Sequence, residues 1–356
     1  MILSLETLRG LAALAVAFYH FPSESLLFIQ QGYMAVYLFF SLSGFVICLN
    51  YFDKINNFKS LLSFQKKRFW RLYPIHIFVL IVVLLIQCLK FVLIKLGLPA
   101  GSEAFGGHPT TGSWYTVRDF VLHIFLLQAI TDYGYFLSWN GAAWTISVEF
   151  YTYFIFGLLV ILSYQRALIF ILLSLSFLIF RNQIFEFINL YMSPNLSVHF
   201  KGCLTYFLTG GLMFFIYKNI KFRLNDIFFL ILLIISIYAC FAGYLKTFML
   251  FSFIILIVAL LKKSTISYKL LNNKHLVYLG TISYSFYMIH QVIIYLFIQC
   301  LKVLNLGVSF SNKQTGGTGN IFFDTIITIS YTSISIVIAI FMYNFIEQKY
   351  RLRKPI

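Results

Sequence analysis

An arginine and a histidine, Arg9 and His20, stand eleven positions apart in an apolar segment near the start of the chain. On an α-helix this spacing returns the second side chain to within roughly 20° of the first, about 17 Å along the axis. Ionisable groups in a membrane helix are costly and usually face a cavity or a partner. We therefore expect this helix to line a reaction path in which the His20 imidazole accepts and returns a proton, rather than to hold a satisfied core histidine. The face between the two is made of small residues: Ala12, Ala13, Val16 and Ala17.

Glu149 is the acidic residue that the apolar pattern places well inside a predicted membrane span. Thr145 and Tyr153 share its helical face at i, i+4 spacing. A carboxylate can orient a histidine and stabilise its charged form, and intramembrane carboxylates are functional by default. We therefore expect Glu149 to meet Arg9 or His20 in a cavity. The structural alternative is a protonated glutamate, or one paired with another basic residue.

A basic cluster at 66–74 precedes the third predicted span. Arg68 and Arg71 lie at i, i+3, and their planar guanidinium groups suit the binding of phosphates. The same residues would also serve as a cytoplasmic anchor, because basic residues collect on the cytoplasmic side of membrane proteins. The spacing of the residues does not separate these two roles.

A further polar group, Ser283, Tyr287 and His290, shares one face of a late apolar helix. We interpret it as a polar wall of the same cavity. Ser283 could be a nucleophile, but a serine in a membrane helix more often bonds its own backbone or a neighbouring helix.

The composition predicts a multi-pass membrane protein. Hydrophobic residues make up 60% of the chain and charged residues only 11%, against about 25% charged in soluble domains. The net charge of +16 does not indicate a nucleic-acid partner, because the basic residues sit in short loops between apolar runs, as orientation signals do. The cysteines are scattered through apolar runs, so we expect neither a disulfide framework nor a metal site.

The apolar runs predict an all-α bundle of about ten transmembrane helices with both termini in the cytoplasm. This arrangement places most lysines and arginines on the cytoplasmic side, whereas an eleventh span would move the basic loop 262–275 outside. We therefore expect 119–137 to be a re-entrant or interfacial helix. The predicted spans lie near 6–22, 33–52, 74–97, 143–163, 167–181, 201–217, 226–243, 247–261, 277–300 and 321–345.

Two outer segments carry no recognisable chemistry of their own. The longer, 98–142, is rich in glycine and contains Trp114 and Trp139, so we expect a lid that faces the substrate. The other, 302–320, holds a Gly-Gly-Thr-Gly run without the preceding strand or Gly-Lys-Ser/Thr ending of a phosphate loop, and we interpret it as a flexible turn.

Four stretches combine in a fixed order: Leu8-Arg9-Gly10 through His20, Phe39-Phe40-Ser-Leu-Ser43-Gly44-Phe45, Arg68-Phe-Trp-Arg71-Leu-Tyr-Pro74, and Trp144-Thr-Ile-Ser-Val-Glu149-Phe-Tyr151. Weaker support comes from 283–290 and from Phe345-Ile-Glu347. With these stretches in this order, the chain resembles the acyltransferase-3 family of integral-membrane O-acyltransferases over essentially its whole length. Many relatives carry two successive glutamates where this chain has Glu149-Phe150.

The resemblance implies an acyl-CoA donor used from the cytoplasm, acetyl-CoA in the simplest case, and a carbohydrate acceptor at the outer face. It maps the essential arginine and histidine onto Arg9 and His20, and the cytoplasmic Arg-x-x-Arg element onto Arg68 and Arg71. From its position within a span, we expect Glu149 to be the third catalytic residue, which tunes His20. Ser43, Tyr287 and His290 are then expected to line the substrate cavity. Some relatives append an esterase-like domain; we expect residues 1–356 to be one transmembrane domain that acts alone.

The resulting hypothesis is a bacterial inner-membrane O-acetyltransferase that modifies a surface polysaccharide, with His20 as general base or transient acyl carrier. One rival is a transporter or flippase without covalent chemistry, which predicts inverted repeats or spans broken near the midplane. Another is a non-catalytic scaffold of the cell envelope, which gives no reason to place Arg9, His20 and Glu149 within spans.

Overall fold

Long apolar runs of this chain fold into helices, as a bilayer requires when no water is present to satisfy backbone groups. The computed structural model describes residues 2–20, 32–96, 115–132, 136–192, 195–241, 248–303, 309–310, 316–317 and 320–351. The helices are α1 (Leu3–His20), α2 (Ala35–Tyr51), α3 (Phe58–Lys95), α4 (Val117–Ile124), α5 (Trp144–Leu162), α6 (Ala167–Tyr191), α7 (Val198–Asn219), α8 (Asp226–Phe241), α9 (Phe248–Leu260), α10 (Ile266–Leu271), α11 (Lys274–Val303), α12 (Ile321–Met342) and α13 (Gln348–Arg351).

Short irregular elements connect these helices. Three 3-10 turns, Gly32–Met34, Phe52–Lys54 and Gly141–Ala143, adjoin α2 and α5, and a π-helical turn, Tyr343–Glu347, separates α12 from α13. A two-residue antiparallel ribbon pairs β1 (Ser309–Phe310) with β2 (Gly316–Gly317) in the segment predicted to be a flexible turn, whose remaining residues lie largely outside the described part.

The all-α membrane architecture is confirmed. Seven helices in the described part are long and apolar enough to cross a bilayer: Gly32–Lys54, Phe58–Lys95, Gly141–Leu162, Ala167–Tyr191, Val198–Asn219, Lys274–Leu301 and Ile321–Tyr350. The other predicted spans coincide with α1, α8 and α9, which have 18, 16 and 13 residues. The count of ten spans and the cytoplasmic termini stay predictions.

Helix α3 begins sixteen residues before the predicted span. It runs for 38 residues through Pro74, so at 1.5 Å per residue it is about 57 Å long, well beyond a ~30 Å hydrocarbon core. Its first turn is closed by a capping box between Asn57 and Ser60. The basic cluster is therefore part of this rigid helix and not of a loop before it.

Two further boundaries differ from the apolar pattern. Helix α6 continues ten residues beyond the predicted end at 181, and Arg181 within it donates to the Leu178 carbonyl. In the predicted re-entrant segment, α4 has only eight residues, about 12 Å, too short to cross a bilayer. Much of the predicted lid, including 98–114 and 133–135, lies outside the described residues.

Glycines allow two pairs of helices to pack backbone against backbone. A Cβ on Gly10 of α1 would lie 2.7 Å from the Gly280 nitrogen of α11, and a Cβ on Gly280 would overlap the Glu6 carbonyl. A Cβ on Gly44 of α2 would overlap the Phe207 carbonyl of α7. These close approaches hold α1, α2, α7 and α11 around the site described next.

Candidate functional site

A cavity of about 80 Å³ lies where α1, α2, α3, α5 and α11 meet. Its wall combines three guanidinium groups, one carboxylate and several hydroxyls with apolar side chains from α2. Six predicted site residues line it: Arg9, Ser43, Arg68, Arg71, Glu149 and Tyr287. These residues are spread over 278 positions of the chain, so only the packing of five helices brings them together.

Glu149 is held by two hydroxyl groups. The Ser43 hydroxyl and the Tyr153 hydroxyl both donate to Oε1, the latter over 2.5 Å. Tyr153 lies one turn further along α5, as the i, i+4 spacing predicted. This hydrogen bond from Ser43 joins α2 to α5, while the adjacent Gly44 packs against the backbone of α7.

The expected direct contact between Glu149 and His20 or Arg9 is not formed. Arg9 is taken by Glu6, one turn earlier on α1, with Nη1 2.8 Å from Oε2. The guanidinium that interacts electrostatically with Glu149 is that of Arg71, which is also within electrostatic range of Glu6 and Glu347. The carboxylate therefore balances the arginines of α3, because α5 packs against α3 at this level.

Arg68 and Arg71 separate from their basic neighbours. Both line the cavity, whereas Lys66 and Lys67 point away from it and are exposed. Arg68 donates from Nη2 to the Tyr51 hydroxyl over 2.9 Å and stacks on the Tyr51 ring at 5.0 Å. Its Nε is buried and has no hydrogen-bond partner among the described residues. The structure thus divides a cluster that spacing could not, since the helical period places Arg68 and Arg71, three residues apart, on one face and turns Lys66 and Lys67 away from it.

His20 and His290 form a separate pair beside this cavity. Their ring centroids are 5.2 Å apart, and neither ring lines the cavity. Gln291 Nε2 lies 3.1 Å from His20 Nε2; an amide N–H can only donate, so this ring nitrogen accepts and the neutral imidazole carries its proton on Nδ1. His290 Nδ1 donates to the Tyr287 carbonyl over 2.5 Å, and its Nε2 is buried without a partner in the described part of the chain.

Tyr287 lies between the cavity and the histidines. Its ring is 5.8 Å from that of Phe39 across the cavity and 5.5 Å from that of His290 on the other side. The expected open path from Arg9 to His20 is wrong for this conformation. Ala13 and Ala17, predicted to border it, pack against Phe286 and Ala339 instead. Small residues on a membrane helix favour close helix packing at least as strongly as they favour a channel.

Ser283 lines the cavity, as predicted for a wall residue. Its hydroxyl donates to the Gly280 carbonyl over 2.7 Å, which is the structural alternative for a serine in a membrane helix. The polar face of α11 is therefore divided, with Ser283 and Tyr287 at the cavity and His290 beyond it.

Several polar residues of the site were missed by the sequence pattern. Gln291 directly follows His290, but a single amide in an apolar run gives no functional signal in the sequence. Glu347 is 3% exposed and accepts from the Ser285 hydroxyl over 2.7 Å, and Glu6 is buried beside Arg9. Glu6 and Glu347 are thus more deeply buried than the half-buried Glu149. They lie near helix ends, where the apolar pattern that marked Glu149 stops.

Comparison with known proteins gives a family. The acyltransferase-3 model, described as an acyltransferase domain, matches residues 2–343. A curated relative is acyltransferase MdmB of Streptomyces mycarofaciens, 30% identical over 167 residues, which cover 44% of this chain. The alignment spans 38% of that relative's own length. No solved structure matches.

Proposed function

This chain belongs to the acyltransferase-3 family, and we propose that it moves an acetyl or related acyl group from acyl-CoA to a hydroxyl of a cell-surface polysaccharide sugar, such as O-antigen or exopolysaccharide, at the bacterial inner membrane. The proposal makes it an O-acetyltransferase with a cytoplasmic donor and an outer acceptor. It goes beyond the family's acyl transfer in naming both substrates.

The observation that carries the donor assignment is the lining of the cavity. Three arginines face one carboxylate there, and Arg9 keeps only part of its guanidinium engaged with Glu6. An excess of planar, permanently charged donors is what phosphate and carbonyl oxygens require. The unpartnered Arg68 Nε supplies a donor that a bound ligand would satisfy. A volume of about 80 Å³ suits the thin arm of the donor rather than its nucleotide.

His20 is the proposed general base because it is the accessible member of the imidazole pair. His290 is 1% exposed, whereas His20 is only half buried. The His20 Nε2 lone pair would take the proton of the sugar hydroxyl as its oxygen attacks the thioester carbon. The carbon–sulfur bond then breaks, and the proton passes from the imidazolium to the CoA thiolate.

Gln291 and Glu149 are positioning residues in this proposal. Gln291 holds His20 with its Nε2 lone pair turned outward from α1, and the acceptor hydroxyl would replace the amide as hydrogen-bond partner. Glu149 keeps Ser43, Tyr153 and the α3 arginines in one arrangement, so the donor site is preorganised before acyl-CoA enters.

The function is tested by comparing the surface glycans of a deletion strain and its parent by mass spectrometry and NMR. We expect the deletion strain to make the same glycan without its acyl esters, and the plasmid-borne gene to restore them. Loss of the whole glycan from the surface would instead favour the flippase alternative.

Donor binding gives a sharper prediction. Arg68→Ala and Arg71→Ala should each weaken acetyl-CoA binding to the purified protein by about tenfold, because a charge-assisted hydrogen bond to a ligand contributes ~1.5–3 kcal/mol. Lysine replacements should restore only part of the affinity, since lysine lacks the planar fork. Lys66→Ala is the matched control: it removes one charge from the same turn but does not line the cavity. Equal losses in all three alanine variants would assign the cluster to membrane anchoring.

A further inference from the structure

A second and larger cavity, of about 370 Å³, lies at the far end of α6 and the start of α7. Small-molecule sites generally measure about 300–1,000 Å³. Polar side chains with complementary capacities line it: Asp132 accepts, Asn189 and Asn195 both donate and accept, and His199 does so through its ring nitrogens. None of the described residues that line it is a lysine or an arginine.

An aromatic wall completes the cavity. The rings of Phe136 and His199 line it, with centroids 4.1 Å apart, and Trp144, which does not line it, packs against His199 at 4.8 Å. Flat ring faces beside amide and carboxylate groups suit a pyranose, whose axial C–H bonds pack on aromatic faces while its hydroxyls hydrogen-bond at the rim.

Hydrogen bonds join the described backbone segments that border the cavity, residues 131–132 and 195–196. Residues 131 and 196 form an antiparallel bridge, and the Asp132 nitrogen donates to the Asn195 carbonyl over 3.0 Å. Asn189 Oδ1 accepts from the Leu196 nitrogen over 2.9 Å. A pocket held this way loses little entropy when it binds a ligand.

One layer of side chains separates this cavity from the reaction site. Trp144 contacts His199 on one side and, at 5.9 Å between ring centroids, Phe40 of the arginine-lined cavity on the other. Glu149 lies five residues further along α5, about 7.5 Å away along the axis. Gly141, in the turn before Trp144, lies against Gln291, which in turn holds His20.

We propose that this cavity is the acceptor subsite and that it binds a neutral sugar ring of the glycan next to the ring that is acylated. The identification of this sugar as part of the acceptor rests on the proposed function, whereas the binding of a sugar in this cavity does not require that function. A neutral sugar is specified because the described part of the lining offers a carboxylate and no permanent cation to balance an acidic sugar.

The test uses the full-length protein in nanodiscs and oligosaccharide fragments released from the source cell's own surface glycan, separated into neutral and acidic fractions. Binding is measured directly, for example by calorimetry, and acetyl transfer from acetyl-CoA to the same fragments is measured in parallel. The variants are Asp132→Asn, which changes an exposed side chain, and His199→Phe, which keeps the aromatic stack and removes the polar atoms. Lys201→Ala, two residues further along α7, is the control because Lys201 does not line the cavity.

We expect the neutral fraction to bind the wild type, and both cavity variants to weaken this binding at least tenfold while Lys201→Ala and acetyl-CoA affinity are unchanged. Unchanged binding in both variants overturns the subsite, as does tighter binding of the acidic fraction. Binding without acetyl transfer supports the sugar site and contradicts the proposed function. Acetyl transfer without measurable sugar binding at this cavity supports the proposed function and contradicts the sugar site.

Discussion

At the scale of single residues, the proposed chemistry depends on the His20 imidazole and on the Gln291 amide that contacts it. His20→Ala should lower glycan acetylation by about 10²–10⁴-fold at unchanged protein abundance, because this is the usual contribution of a general base. His290→Ala should cost much less, since the buried His290 does not meet the acceptor in this proposal. The comparison is made by quantifying ester groups on the glycan, with membrane content checked by immunoblot. A larger loss of acetylation from His290→Ala than from His20→Ala would assign the general-base role to His290.

The Gln291 amide is expected to act through His20. Gln291→Glu replaces the amide donor at His20 Nε2 by a carboxylate. The carboxylate would stabilise the protonated imidazolium, so less of the neutral imidazole would be present to act as a base. We expect activity to fall about tenfold and the pH–rate profile to shift toward higher pH. A merely structural role for Gln291 would lower the amount of folded protein and leave the profile in place.

The Glu149 carboxylate accepts hydrogen bonds from Ser43 and Tyr153, whereas the sequence predicted contact with Arg9 or His20. Glu149→Gln preserves shape but removes the charge that balances Arg71 and accepts from Ser43 and Tyr153. We expect nearly normal folding, strongly reduced activity and weakened acetyl-CoA binding. If instead acetyl-CoA binding is intact and only the rate constant for transfer falls, Glu149 acts on the histidine after all.

At the scale of elements, the site depends on how closely α2 and α7 approach. A Cβ on Gly44 would overlap the α7 backbone, so Gly44→Ala should force the helices apart and destabilise the protein by about 1–3 kcal/mol. Gly202→Ala on the same α7 is the matched control, because its Cβ would meet only the Tyr37 ring at 3.8 Å. Thermal unfolding in detergent measures the difference. Equal midpoints for the two variants would contradict the packing argument.

At the scale of the whole molecule, the proposed division between donor and acceptor sides requires a definite orientation in the membrane. The two ends of α6 provide a direct check, since Tyr164 and Tyr191 are both exposed and lie before and near the end of this candidate span. In a cysteine-free background, Tyr191→Cys should react with a membrane-impermeant maleimide in intact cells, and Tyr164→Cys only after permeabilisation. The opposite pattern would place both termini outside and reverse the proposed direction of transfer.

The sequence by itself determined the membrane class, the helical architecture and most of the candidate residues. Apolar runs of bilayer length leave little choice but helices, and rare charged residues inside such runs stand out against their surroundings. The i, i+4 relation of Glu149 and Tyr153 was likewise readable, because both residues belong to one helix. The acyltransferase-3 motifs then indicated the family over the full chain.

Only the tertiary structure decided which of these residues meet. It paired Glu149 of α5 with Ser43 of α2, and His20 of α1 with Gln291 of α11. It also packed Phe286 against Ala13 and Ala17, on the face of α1 that was expected to line a path. Helical periodicity specifies the face on which a side chain lies, but the partner on that face comes from another helix whose register no local pattern contains. That register is set by close backbone contacts such as Gly10 with Gly280, which join positions hundreds of residues apart.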